Sequence, residues 1–372
     1  MSDEALAKVV DGRAWLEFCE LLRKAGDVIA REDLGTTPFD RAEGLRYLSR
    51  LLAAGFSSFV EATGPAHPVF RPLPEMVKMG LDNPDNYYVS ASIDPRRDYR
   101  IRGRRGTIHY LSFAAQNQNF AARDRITGGA GHLNDSELAL ADDGSFEIVA
   151  SQREHAGARA EGERRPSNWL RLAPDTKQIL VRQTFLERAR ERPVELAIEC
   201  VGVAGPPPAL DPARVGGQLL GSAMYAIGCA QWFADWVVGF RAKSPVNAFH
   251  LPTEDDHRRL GGDPNIRLWL GTWRLAPDEA LVVEAMPPKC HYWNFQLGNV
   301  WAESLDSRFQ RVHINSSQAA YRGDGSFELV VAHRDPGHPN WISTAGHEHG
   351  TMGLRWVLAD SHPEPRARVV KL

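Results

Sequence analysis

The amino-acid sequence predicts a mainly β protein with flanking helices: two related β-sandwich or jelly-roll-like units made by internal duplication, an N-terminal helical segment and a connecting helix. Three observations predict it. A string of motifs occurs twice in the same order. Each copy alternates apolar and polar residues between Gly, Pro, Asn and Asp turns. Outside the copies, apolar residues recur at helical spacing. A chain of 372 residues also suits two domains or more rather than one core.

The duplication rests on three matches in register. Asp143-Gly144-Ser145-Phe146-Glu147-Ile148-Val149 returns as Asp324-Gly325-Ser326-Phe327-Glu328-Leu329-Val330. His109-Tyr110-Leu111-Ser112-Phe113 returns as His291-Tyr292-Trp293-Asn294-Phe295, and Asn168-Trp169 as Asn340-Trp341. His109 precedes Asp143 by 34 positions, and His291 precedes Asp324 by 33. Trp169 lies 13 positions before Arg182, and Trp341 lies 14 before Arg355. The first copy is longer only where 157–165 reads as a polar surface loop.

Taken in chain order, residues 1–80 form the helical segment. Leu16, Leu21 and Leu22, then Leu45, Leu48, Leu51 and Leu52, give apolar faces, and Asp40 with Glu43 three on predicts an N-cap. Residues 84–205 form the first β unit. Asp143-Gly144 is its hairpin turn, since Gly accepts the positive φ of tight turns, and 180–185 is its closing strand. In the connecting region, 206–261, Pro206-Pro207-Pro208 breaks the chain and Asp211-Pro212 opens a helix. No charged residue occurs between Arg214 and Asp235, a length that could span a bilayer. Gly216, Gly217, Gln218, Gly221, Gly228 and Gln231 within it fit a helix packed in protein better. Residues 262–372 form the second β unit, closing with a strand over 354–358.

Composition narrows the class. Hydrophobic residues at 43% and charged residues at 24% exclude wholesale disorder, and a net charge of −3 gives no global attraction to nucleic acid or an anionic membrane. The four cysteines are scattered without metal spacing and read as reduced thiols, and the acidic start lacks signal-peptide character. The expectation is a soluble, cytoplasmic protein whose partner is a small molecule, with no nucleic acid and no membrane, and with a homo-oligomer compatible. Arg96, Arg97, Arg100, Arg102, Arg104 and Arg105 form a basic patch, read as a solvated hairpin beside carboxylates. Gly128-Gly129-Ala130-Gly131 reads as a flexible loop; it lacks the Lys-Ser/Thr of a P-loop.

Several runs in the second copy resemble a known family. They are 292–297, the Asp324-Gly325-Ser326 turn, 331–337, Pro339-Asn340-Trp341, and the ending Ala345-Gly346-His347, Gly350-Thr351-Met352 and Arg355-Trp356. These resemble the bacterial domain of unknown function numbered twelve-fourteen, in its longer, duplicated members. The resemblance covers most of 262–372 and, more weakly, the first copy. It implies a jelly-roll-like β domain and no reaction.

Where the copies differ in reactive groups, one can hold a task the other lacks. The second copy is richer in imidazole, with His333, His338, His347 and His349 besides His291. His333 or His347 suits a general acid or base with Asp335 as orienting carboxylate, since imidazole titrates near neutrality; a turn-stabilising His–Asp pair is the plain reading. No cofactor is predicted. A divalent metal at His347 and His349 is the alternative, because positions i and i+2 of a strand face one side; the Gly346/Gly350 frame argues instead for a solvated loop. Tyr292, Asn294 and Gln296 share one strand face, and His291, Trp293 and Phe295 the other. The polar set either faces solvent or lines a wet pocket with Trp301 and Glu303 near its mouth and Trp341 among its aromatics. Asn168 and Asn340, present in both copies, read as turn caps.

The functional expectation is an enzyme acting on a small, largely apolar organic substrate by His/Asp acid–base chemistry, lyase- or hydrolase-like. His333, Asp335 and His347 would be catalytic, with Tyr292, Asn294, Trp301, Glu303 and Trp341 binding substrate, in a pocket of the second repeat or between repeats. The alternatives are a metal-dependent enzyme using His347 and His349, and a non-catalytic ligand-binding or assembly module.

Overall fold

A computed structural model of the chain describes residues 2–62, 64–73, 76–117, 127–153, 168–259 and 262–372. The polar loop expected over 157–165 lies outside the described residues. The chain opens with helices α1 (Ser2–Val10), α2 (Arg13–Arg23), α3 (Gly26–Ile29) and α4 (Pro38–Phe59). Helix α4 begins earlier than Asp40. Pro38 presets φ at the first helical position, Thr37 is the cap, and Asp40 closes a capping box as the third helical residue.

The first unit contains β1 (Arg71–Pro72), β2 (Asn86–Ser92), β3 (Tyr99–Arg104), β4 (Tyr110–Asn117), β5 (Thr127–Asn134), β6 (Ser145–Ser151), β7 (Asn168–Arg171), β8 (Gln178–Thr184) and β9 (Glu195–Cys200). They form two sheets, ordered β1-β2-β8-β4-β5 and β7-β6-β3-β9. Ile101, Phe113, Phe146, Ile148, Leu170 and Val181 join both across one core. The glycine run at 128–131 lies in β5 rather than in a loop; its pairing to β4 through Gly131 and Ala115 sets it in the sheet. Gly131 is required there, because a Cβ would stand 2.1 Å from the Arg171 carbonyl.

Helix α5 (Pro212–Lys243) follows, its first turn capped by Asp211. Among the described residues no helix is long and apolar enough to cross a membrane. Instead, α5 packs against α4 and the second unit, where Phe233, Val237 and Phe240 share a core with Tyr47, Leu51 and Trp301.

The second unit repeats the first. After β10 (Ala248–His250) and α6 (Glu254–Arg259) come β11 (Ile266–Arg274), β12 (Glu279–Ala285), β13 (Tyr292–Gly298), β14 (His313–Asn315), β15 (Phe327–Ala332), β16 (Trp341–Ser343), β17 (His349–Val357) and β18 (Arg366–Lys371). The sheets are β10-β11-β17-β13-β14 and β16-β15-β12-β18, the same order strand for strand. Among the described residues one pair in each unit is parallel, β6 with β7 and β15 with β16. Asn168 and Asn340 do the same work in the two copies. Each side chain accepts from and donates to one upstream backbone position, Ala139 or Ala320, and donates to a strand carbonyl, Glu147 or Glu328.

The five-stranded sheets bury their outer faces against each other and the helices, so strands β13 and β17 are buried along their whole length. The docking is reciprocal. His109 and His291 stack with ring centroids 4.1 Å apart, and each donates from Nε2 to the other's carbonyl, at 2.8 and 2.9 Å. The arginine patch is neutralised on the sheet surface. Arg96 pairs with Asp94, Arg100 and Arg102 with Glu147, and Arg105 with Asp135.

Candidate functional site between the two units

Just ahead of β2 and of β11 a short proline turn sends one carboxylate into the opposite unit. Asp85 crosses to the second unit, where it accepts from Tyr292 Oη at 2.5 Å and from Asn315 Nδ2 at 3.2 Å, and lies 3.0 Å from His313 Nε2. Asp263 crosses to the first, accepting from Tyr110 Oη at 3.0 Å and Ser112 Oγ at 2.7 Å, and lies 3.0 Å from His132 Nε2. Strand register makes the two clusters equivalent: Ala114 pairs with His132 as Gln296 pairs with His313.

The copies diverge in what covers them. In the second unit Asn294 donates to Asn83 Oδ1 at 2.7 Å and Gln296 to the Asp82 carbonyl at 2.8 Å. Arg355, fully enclosed, donates to Gln296 Oε1 and to the Leu81 carbonyl. Segment 81–85 therefore covers Asn294, Gln296 and Arg355 in that copy. In the first unit Ser112 and Ala114 stand where Asn294 and Gln296 stand, and Arg182 replaces Arg355. Where Ala114 replaces the glutamine lies a cavity of about 680 Å³, walled by Ala114, His132, His257, Pro264, Arg267 and His362.

Electrostatics gives these groups defined states. Burial raises the Asp263 carboxyl, but His132, Arg182 and Ser112 outweigh it and hold the group well below the usual carboxylate range. Burial and the neighbouring Asp263 charge raise Tyr110 far above the ordinary phenol, so its hydroxyl keeps the proton and donates. Burial lowers His257, which is therefore neutral near pH 7. Its Nε2 lies 2.9 Å from the Asp263 carbonyl, which can only accept, so Nε2 carries the proton and Nδ1 keeps a lone pair. A neutral imidazole with a free lone pair beside an ionised carboxylate can take and return a proton.

The family profile for a protein of unknown function, DUF1214, matches residues 278–360, from β12 to beyond β17. A crystal structure of an uncharacterised protein from Burkholderia cenocepacia is 40% identical, covers 98% of this chain and 99% of its own, and superposes with a TM-score of 0.91. The chain belongs to the DUF1214 family. The VPA0106 protein from Vibrio parahaemolyticus, 14% identical over 93% of this chain and 100% of its own, shares the fold with a TM-score of 0.50. No curated protein matches in sequence.

This DUF1214 chain places the histidines expected to be catalytic outside the wall of that cavity. His333 bonds Thr344 Oγ1 at 2.9 Å and the Leu275 carbonyl at 3.2 Å. His347 meets the carbonyl of the same threonine at 3.1 Å and stands edge-on to Phe39. Thr344 thus joins the two, but Asp335 is exposed and caps a turn through the Gly337 amide. His349 Nε2 lies 2.9 Å from Asp40 Oδ2 on α4, and among the described residues no three His, Cys, Asp or Glu side chains are grouped to hold a metal. The pair reads as the seat of α4.

The expected substrate-binding residues are packed rather than open. Tyr292 and Asn294 belong to the covered cluster. Trp301 donates to the Asp40 carbonyl at 2.8 Å, and half-buried Trp341 donates to the Ala332 carbonyl at 3.1 Å. Glu303, 1% exposed, accepts from Arg50 at 2.6 Å and Asn299 at 2.8 Å. The polar face of β13 meets neither solvent nor a wet pocket, because the other unit covers it.

Burial pushes the Glu303 carboxyl up to about 7, against the pull of Arg50 and Asn299. The folded state therefore holds this proton more tightly than the unfolded chain, where the group titrates near 4.5. Its contribution to stability is complete below pH 4.5 and is lost as pH rises through about 7, by about 3 kcal/mol at most. Glu303→Gln, which cannot ionise, should lose most of that slope in urea unfolding between pH 5 and pH 8. Equal slopes for the two proteins would place the titration elsewhere.

Sequence reasoning missed His132 and Asp263, although a signal existed. His132, Asn134 and Ser136 recur as His313, Asn315 and Ser317, 23 positions after His109 and 22 after His291. It is a fourth match in register. Its serines explain it locally, since Ser136 and Ser317 both donate to the preceding asparagine at a strand end.

Proposed function

We propose that the protein is an enzyme acting on a small organic molecule by acid–base chemistry, lyase- or hydrolase-like, in the cavity between the units. One observation carries this reading. Of two equivalent Asp–His pairs, Asp263–His132 lines the described cavities, while neither Asp85 nor His313 lines either of them. A pair kept only for docking has no need of space beside it.

In this reading His257 Nδ1 removes a proton from the substrate, and His132, on the same wall, returns one to the leaving or developing oxygen. Ionised Asp263, 3.0 Å away, orients His132, as a carboxylate behind an imidazole does in hydrolytic triads. Arg267, which lines the cavity, would hold a carbonyl or carboxylate oxygen of the substrate and balance negative charge as it develops.

The test uses the full chain and a panel of small esters, lactones, hydroxy acids and β-hydroxy carbonyl compounds, with products read by mass spectrometry. Turnover should fall by about 10²- to 10⁴-fold in His132→Gln and in His257→Gln, with unfolding midpoints near wild type. Turnover that survives both substitutions, or a panel that binds without conversion, would overturn the reading in favour of a binding module.

A further inference from the structure

A second cavity, of about 500 Å³, lies on the other side of His257 and Gly262. We infer that it is a binding site for an amphipathic organic anion, a carboxylate with an extended apolar body. This goes beyond the acid–base reading and does not depend on it, because no proton transfer is required.

The shape comes from three surfaces. The outer face of β2 and β8 supplies Tyr88, Ser90 and Leu180; β11 faces it with Leu268 and Leu270; and α5 roofs it with Tyr225, Phe233 and Trp236. Val77 and Met79 close the side, so about half of the wall is aliphatic or aromatic and the rest is polar. Volumes of this order suit a drug-sized organic ligand with a few placed polar groups. The backbone is fitted to the space. A Cβ on Gly80 would stand 2.7 Å from the Phe233 ring, which lets the 76–82 segment pass close under α5.

The polar groups point to charge. Arg71, Lys177, Arg182 and Arg355 line the cavity, against the carboxylates Asp82 and Asp263. That is four cations to two anions; both anions are engaged elsewhere, as are Arg355, which donates to Gln296 and the Leu81 carbonyl, and in part Arg182, whose charge helps hold Asp263 ionised. Asp82 accepts from the Ser304 amide at 3.0 Å and its hydroxyl at 2.8 Å, and Asp263 serves its own cluster. Arg71 is the informative cation. It donates to the Ser57 carbonyl at 2.5 Å, and burial lowers its pKa with no carboxylate among the described residues pulling the other way.

Register puts Arg71 and Arg182 on one face of the sheet, with β2 between them. Arg71 pairs with Ser90, which pairs with Leu180, while Arg182 pairs with Tyr88 one same-face step along. Two guanidinium groups on neighbouring rungs of one face offer forked donors to a carboxylate. The apolar body of such a ligand would then lie between β11 and α5.

Dodecanoate is the probe, with dodecanol as its neutral match and dodecyltrimethylammonium as its cationic one, each titrated below its micelle point and read by calorimetry and tryptophan fluorescence. Dodecanoate should bind at least about tenfold more tightly than either. Arg71→Leu should weaken dodecanoate about tenfold and leave dodecanol unchanged. Ser90→Trp, which fills the cavity from a half-buried position on its wall, should abolish binding of both while the protein still unfolds cooperatively. His132→Gln should bind dodecanoate like wild type even where turnover is lost, separating this site from the acid–base reading. Equal affinity for acid and alcohol, binding that survives Ser90→Trp, or no binding of dodecanoate would each overturn the inference.

Discussion

Asp85→Ala is expected to destabilise the protein by about 3–5 kcal/mol, the range for removing one partner from a buried charged network. The side chain is enclosed between the units and accepts from Tyr292 and Asn315, with His313 Nε2 at 3.0 Å. Removing it takes the short acceptor from Tyr292, which keeps only Asn83 Oδ1 at 3.5 Å, and leaves Asn315 Nδ2 the Leu186 carbonyl at 3.2 Å; a buried donor left poorly satisfied costs about 1–3 kcal/mol. Neither can turn to water, because Tyr292 and Asn315 are at most 1% exposed. Urea unfolding followed by tryptophan fluorescence checks the magnitude. Asp85→Asn should fall between wild type and alanine, since the amide oxygen still accepts from Tyr292. A loss below about 1 kcal/mol would mean that the inter-unit contact rests on apolar packing alone.

Trp301→Ala is expected to cost about 3–5 kcal/mol, as large aromatic deletions in a packed core do. The ring is fully buried among Tyr47, Leu51 and Leu81, and α4 runs so close that a Cβ on Gly44 would stand 2.7 Å from it. Its Nε1 also satisfies the Asp40 carbonyl in the first turn of α4. The loss should therefore loosen the N-terminal helices before the β units. Limited proteolysis should cut within 1–60 in the variant and spare the sheets. Trp15→Ala, where the side chain is 55% exposed, should leave the digestion pattern unchanged. Cleavage spread evenly over the chain would show instead that helices and sheets unfold together.

The legible part of this molecule was whatever is written locally. Repeated motifs at equal spacing foretold two units whose strands fall in one order, and the Asp211-Pro212 start foretold α5. Residues that act across the units were not legible in the same way. Periodicity reports that Tyr292, Asn294 and Gln296 share a face, but not that another sheet covers that face. Burial of both faces of β13 depends on docking between segments some two hundred positions apart, as the Asn83–Asn294 contact shows. Histidine counting favoured the second copy for a related reason. His347 and His349 are numerous where α4 needs partners, whereas the Asp263 cluster differs from its twin by what is missing: Ser112 and Ala114 are small. A gap between side chains leaves no motif.

The exchange of carboxylates between the halves has the geometry of a symmetric dimer whose subunits have become one chain. In a true homodimer every substitution is made twice, so shrinking a residue to open one cluster would open its twin and loosen the joint from both sides. A single covalent chain is released from that rule. Here Asn294 and Gln296 hold one joint closed while the other has a cavity beside Ala114. One half of the old contact secures the molecule, and the other is at liberty to hold something else.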